Sequence, residues 1–230
     1  MVNLVPNVFP AEPTKWSEMQ KYTNSATFTA PEDGWFKFIG VARSGKGGSS
    51  NEYFSQGETW VRGGGGGGAG GIVVSAFALM QGQTVTLAVG NDVTIQAQGQ
   101  RATASAGADG GDANVGSYGG SGGKGGTASG GNTANQLGTS GNSGRFEIGL
   151  ENGGRGSKNS YEGYSTTAGS GLPLEKNRSR YPDPSSGYIV ALRGNTNLSM
   201  AQQNAYDITD NSLEIAALAQ EQTGLLLNLA

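Results

Sequence analysis

The residues with the types and spacing to do chemistry fall into a few groups. The first follows the apolar run Phe36-Lys37-Phe38-Ile39: Gly40, four residues, then Gly45-Lys46, the outline of a phosphate-cradling loop. Such a loop needs a Ser or Thr after the lysine to hold magnesium, and then a helix whose free N–H groups face the phosphates. The chain places Gly47 there. Gly47-Gly48-Ser49-Ser50-Asn51 opposes a helix, because each Gly costs about 1 kcal/mol relative to Ala while Ser and Asn favour turns. No buried strand ending in a magnesium-binding Asp follows, so phosphate is set aside.

Asp109, Asp112 and Asn114 offer oxygen ligands at calcium-like spacing, but without a bidentate Glu or a glycine-aspartate repeat they read as solvated turn residues. Glu147, Glu151, Glu162 and Asp183 contain the carboxylates a glycosidase would need, yet no spacing fixes a pair. The basic run Lys176-Asn177-Arg178-Ser179-Arg180 reads as a solvated loop that could touch an acidic glycan. More informative are Tyr53, Phe54, Trp60, Tyr118, Tyr161, Tyr164 and Tyr181, which stand in Gly/Ser/Asn-rich surroundings. Rings with a polar handle on such loops make adaptable contact surfaces at low entropic cost. From this chemistry the expected receptor-contact residues are Tyr118, Lys124, Tyr161, Tyr164 and Tyr181. The competing reading is that several of these rings clamp loops onto the body.

Composition narrows the function further. The 230 residues include 42 glycines and neither histidine nor cysteine, which excludes disulfides, thiolate and imidazole metal sites and every His-based catalytic arrangement. Charged residues are 14% and the net charge is −3, so there is no electrostatic footprint for nucleic acid or an anionic membrane. The longest apolar runs are far short of the ~20 residues that span a bilayer. The N-terminus lacks the basic flank and cleavable stretch of an export signal. The expectation is a non-enzymatic protein with no cofactor, no metal and no membrane insertion, one that leaves a cell by lysis if it works outside.

Strands must position these residues. Ala26 to Ala30 alternates, Pro31-Glu32-Asp33-Gly34 turns, and Trp35 to Val41 resumes with Phe36, Phe38 and Gly40 on one face and Trp35, Lys37, Ile39 and Val41 on the other. Six glycines at 63–68 precede a strong strand over 72–79. Gln81-Gly82-Gln83 then turns the chain into Thr84 to Val89, whose strict alternation predicts a hairpin. A weaker strand is expected over 93–97, another in the island 145–150, and a clear one over 186–193.

Between them, Gly119-Gly120-Ser121-Gly122-Gly123-Lys124-Gly125-Gly126 repeats every three residues. Three is the period of an extended left-handed helix without internal hydrogen bonds. With glycine at two of three positions, bare backbones can approach and bond across, while Ser121, Lys124 and Thr127 point to solvent. A flexible linker is the alternative, but more than sixty structureless residues inside one domain would be unusual.

At the ends, residues 1–24 carry apolar anchors among prolines and read as a docking arm. In the C-terminal tail, 196–230, Asn211 and Glu214 can cap a helix that Thr223-Gly224 ends. Phe9 and Trp16 in the arm and Leu225, Leu226 and Leu227 in the tail are the expected assembly contacts.

The order of these features resembles a known family. A strand ending in Ala30-Pro31-Glu32-Asp33-Gly34, an aromatic strand running into glycine, the Gly run before Ile72-Val73, Gly82-Gln83-Thr84-Val85-Thr86-Leu87-Ala88-Val89-Gly90, a long Gly-Gly-x field and the closing Gly187-Tyr188-Ile189-Val190-Ala191-Leu192 are similar to the glycine-rich domain of bacteriophage tail fibres and receptor-binding adhesins. The resemblance covers roughly 25–195. It implies an all-β fold, an antiparallel β-sandwich with long glycine-rich loops or polyglycine II-type segments, followed here by a short C-terminal helix. It further implies a virion adhesin of the tail or surface, assembled in the host cytoplasm and touching a host cell-surface glycan or protein. Other virion proteins would be its remaining partners, and a homo-oligomer, a trimer for a fibre component, is expected. The alternative is a structural virion protein, a decoration or joining piece that meets only viral partners.

Overall fold

A computed structural model of the chain describes residues 11–55, 58–114, 119–144, 146–148, 153–170 and 185–194. The chain divides into two compact units, 1–194 and 195–230; the second, with the expected helix, lies outside the described residues.

The described residues are all-β and contain no helix. Strands β1 (Trp16–Tyr22), β2 (Ala26–Thr29), β3 (Gly34–Val41), β4 (Asn51–Ser55), β5 (Glu58–Arg62), β6 (Ile72–Leu79), β7 (Thr84–Val89) and β8 (Val93–Ala97) are followed by β9 (Gln100–Ala104), β10 (Ala128–Ser129), β11 (Ala134–Gln136), β12 (Phe146–Ile148), β13 (Lys158–Tyr161), β14 (Tyr164–Thr167) and β15 (Tyr188–Gly194). One five-stranded sheet has the order β1-β15-β3-β6-β11 and a second has β10-β9-β8-β7-β2. A three-stranded sheet, β12-β5-β4, and the hairpin β13-β14 complete the set. Every pairing is antiparallel.

Both five-stranded sheets contribute to one core. Phe36, Phe38, Val73, Phe77, Ile189 and Ala191 from the first meet Phe28, Val85, Leu87, Val93, Ile95 and Ala102 from the second. Phe28 stands 5.2 Å, centroid to centroid, from both Phe36 and Phe38, tilted against one and edge-on to the other, the arrangement the ring quadrupole favours. Burying each such side chain contributes about 1.5–3 kcal/mol.

The expected strand pair about Pro31–Gly34 and the expected hairpin about Gln81–Gln83 are instead crossings between sheets. β2 pairs with β7 and β3 with β15 and β6, so Pro31–Gly34 carries the chain from one sheet to the other. The turn at Gln81-Gly82-Gln83 does the same, because β7 pairs with β8 and β2 and not with β6. The two crossings run side by side: the Gly82 amide donates to Ala30 O and the Ala30 amide to Gln83 O, both at 2.9 Å. The reason is burial. β2 and β7 bury alternate residues only, while β3 and β6 are buried on both faces. One-sided strands belong in a sheet with a face in water, and continuous apolar strands in a sheet covered on both sides. The cover over the outer face of the first sheet is the β13-β14 hairpin, above Ile39, Val41, Ile72, Val74, Val190 and Leu192. Trp16–Tyr22, expected in an extended arm, is β1, an edge strand of that same sheet.

The glycine-rich segments form a bundle held by main-chain bonds at every third residue. Its centre is 63–71. The amides of Ala42, Gly45 and Gly48 donate to the carbonyls of Gly71, Gly68 and Gly65. Those of Gly65, Gly68 and Gly71 donate in turn to Gly111, Ala108 and Ser105. Gly120, Gly123 and Gly126 donate to Gly63, Gly66 and Ala69, while Gly66 and Ala69 donate to Asn142 and Thr139. Gly154 and Ser157 donate to Gly64 and Gly67, and Gly67 donates to Gly169. Six neighbouring segments thus surround the central one, and they also bond to each other in a closed ring. Glycine is required because the backbones touch: a Cβ at Gly65, Gly66 or Gly68 would overlap the carbonyl of Ser121, Arg155 or Lys124. On the perimeter Ser121, Lys124 and Thr127 are exposed while Gly123 and Gly126 are buried.

Candidate functional site

The bundle has two unlike ends. At one, its segments run straight into the sheets: Val41 into Ala42, Gly71 into Ile72, Ala104 into Ser105, Thr127 into Ala128 and Gln136 into Leu137. At the other, Ala113 bonds Ser49, Gly120 bonds Gly63, Gly144 bonds Gly120, and Gly154 bonds Gly64. Connections 49–62, 114–119 and 145–153 therefore all leave and re-enter the bundle at this outer end. Two of them contribute the three-stranded sheet, in which Tyr53 is opposite Trp60 and Trp60 opposite Ile148. Arg62 anchors its base, donating from Nη1 to Asn114 O at 2.8 Å.

Of the expected contact residues, Lys124 is exposed on the flank of the bundle, one turn from the outer end, and its carbonyl accepts the Ala108 amide. Tyr118 belongs to the 114–119 connection but, like Tyr181, lies outside the described residues. So do Phe9, Leu225, Leu226 and Leu227.

Tyr161, Tyr164 and Trp16 are brought together elsewhere, on the outer face of the first sheet, where all three are partly buried against its apolar cluster. Tyr161 and Tyr164 flank a two-residue turn whose Glu162 and Gly163 have φ of 46° and 87°. Positive values at both positions suit the right-handed twist of a tight hairpin. The Tyr164 hydroxyl donates to Glu18 Oε2 at 2.8 Å. Burial, then this bond and the Glu18 charge, push its phenol up to about 12. The Lys37 ammonium lies 4.6 Å from the Trp16 ring centroid and 3.2 Å from Glu162 Oε2. Tyr188 fixes the hairpin from below, accepting from the Ser165 amide and donating to the Ser165 carbonyl, both at 3.1 Å. These rings clamp the hairpin to the sheet.

The remaining sequence candidates are occupied by the bundle itself. The Gly45 and Gly48 amides are bonded to Gly68 and Gly65, and the Lys46 amide donates to Asp109 Oδ1 at 2.7 Å, so the amides a phosphate loop would need are already engaged. Asp112 Oδ1 accepts the Ser49 amide at 2.6 Å, a bond that holds its carboxyl below the usual range. Asp109 also receives Arg43 Nη2 at 3.3 Å. Among the described residues no group of three or more acidic side chains could hold a metal ion. Glu147 is opposite Val61 in β12, and Glu162 is committed to Lys37; Glu151 and Asp183 lie outside the described residues.

The roles of Asp109 and Asp112 were open to discovery in the sequence through their spacing. They stand three apart, as do Lys46 and Ser49, whose amides they take. No family model matches the chain, and no curated protein matches it.

Proposed function

We propose that the chain is a virion-associated adhesin of the tail-fibre kind, a β-sandwich carrying a polyglycine II-type bundle whose outer end contacts a bacterial surface receptor without catalysis. The observation that carries this reading is the return of connections 49–62, 114–119 and 145–153 to the same end of the bundle, opposite the two five-stranded sheets. A lattice of main-chain bonds is rigid and indifferent to the side chains of its connecting loops. Loops so held supply contacts at low ordering cost, which is what pre-organised recognition needs. Tyr53, Trp60 and Tyr118 belong to these connections, and the resemblance over 25–195 points to the same use. Tyr181 and the exposed Lys124 complete the proposed contact set, whereas Tyr161, Tyr164 and Trp16 hold the body together. Several copies per particle would multiply weak individual contacts.

The test is binding of the purified full chain to a panel of whole bacterial cells. Binding should fall at least about tenfold, roughly 1.4 kcal/mol, for Trp60→Ala or Tyr118→Ala, and remain for Tyr164→Phe, which is remote from the outer end. Absence of binding to every strain, together with capture by other virion proteins, would replace this reading with that of a joining or decoration protein.

A further inference from the structure

The bundle is built so that it could grow sideways. Its segments recognise one another chiefly through main-chain bonds, in either direction: 120–126 runs parallel to the central segment and 42–48 antiparallel. Any flank that presents a row of open amides three residues apart would therefore template another glycine-rich segment, as an open sheet edge templates another strand. The chain has such rows at its surface. Lys46 and Ser49 are exposed on one segment, and Gly122 and Gly125 are half-buried on another. Each row is covered by short side chains from the adjacent segment, repeating with the same interval of three. Asp109 and Asp112 take the amides of Lys46 and Ser49 at 2.7 and 2.6 Å. Ser140 and Ser143 take those of Gly125 and Gly122, both at 3.3 Å.

We propose that Asp109, Asp112, Ser140 and Ser143 terminate the lattice, and that the flanks they cover would otherwise dock a glycine-rich segment from a second copy of this chain. The occupant is a second copy because main chains approach so closely in this lattice that only glycine at every third position fits. Segments of that composition, such as 119–126, are the chain's own. These covers lie on two flanks of the bundle, where a further segment would otherwise add.

The experiment compares the full chain with S140A/S143A and D109A/D112A, reading residue-resolved amide exchange and weight-average mass against concentration. In S140A/S143A the amides of Gly122 and Gly125 should exchange at least about tenfold faster at low concentration, while those of Gly123 and Gly126 stay protected. The mass should rise with concentration above that of the unsubstituted chain, and S140T/S143T, which keeps the hydroxyls, should restore both. D109A/D112A should act in the same way on the amides of Lys46 and Ser49. Fast exchange at the uncovered amides with no gain in mass would overturn termination, and unchanged protection would overturn the assigned bonds. Should D109A/D112A fail to fold, the exposed serine pair decides the matter alone.

Discussion

Lys37 and Glu162 are 125 positions apart in sequence, yet Lys37 Nζ lies 3.2 Å from Glu162 Oε2, with the lysine side chain 5% exposed and the glutamate 49%. The lysine sits in the middle of β3 among apolar neighbours, and the hairpin turn brings its counter-charge. Removing one member of a buried pair strands the other, but a half-solvated partner is worth much less. Glu162→Gln should therefore lower unfolding stability by about 1–2 kcal/mol. Lys37→Met, which removes the buried charge and keeps the stem, should stay within about 1 kcal/mol of the original. Urea titrations of both variants check this, and equal losses would contradict it.

Alkaline pH should loosen the same region. The Tyr164 phenol is raised from 10.0 to about 12 in the fold, by burial first and then by its bond to Glu18; Tyr161 and Tyr188 shift in the same direction, chiefly through burial. The folded state holds the proton longer than the unfolded chain, so unfolding releases it. The stabilising contribution is complete below about pH 10 and is lost as the pH rises through about 12. Denaturant midpoints should fall across that window, and Tyr164→Phe should flatten part of the fall. An identical slope in the variant would show that Tyr164 does not titrate with unfolding.

Glycines should divide into two classes under substitution. A Cβ at Gly66 would overlap the Arg155 carbonyl, backbone that cannot give way without breaking the lattice, whereas one at Gly90 would approach only Asp92 O, at 3.7 Å. Gly66→Ala should cost at least about 3 kcal/mol, and Gly90→Ala less than about 0.5 kcal/mol. Thermal or urea unfolding of the two variants distinguishes them.

Gly40 belongs between these classes. A Cβ there would come within 3.0 to 3.3 Å of Val93, Val73 and Ile95, side-chain ends from both sheets. Such ends can rotate, so Gly40→Ala should cost about 1–3 kcal/mol, read from the same unfolding curves.

Much of the body was legible because its signals are local. Alternation placed β2 and β7, and continuous apolar runs placed β3, β6 and β15. The same contrast held the clue to the crossings at Pro31–Gly34 and Gln81–Gln83, since a one-sided strand and a two-sided strand seldom share a sheet. β1 escaped notice because Trp-Ser-Glu-Met-Gln-Lys-Tyr is an exposed edge with a bulge at Met19 and no apolar period. The interval of three in 119–126 announced itself, but which segments would adjoin it did not: main-chain pairing is blind to side chains, and the only trace of a partner is the matching interval of covers such as Ser140 and Ser143. Tyr161 and Tyr164 suggested a recognition loop by composition, and their placement over the sheet depends on contacts of the hairpin with Glu18 of β1 and Lys37 of β3, more than 120 residues away.

A bundle in which peptide groups enclose peptide groups has an unusual calorimetric signature. Hydration of exposed hydrocarbon raises the heat capacity of an unfolded chain, while hydration of peptide groups lowers it. The segments around 63–71 should thus add melting enthalpy with almost no curvature, and the phenylalanine-lined layer between the sheets should supply nearly all the temperature dependence. On cooling, the layer between the sheets would weaken first, and the glycine part would be the last to notice the cold.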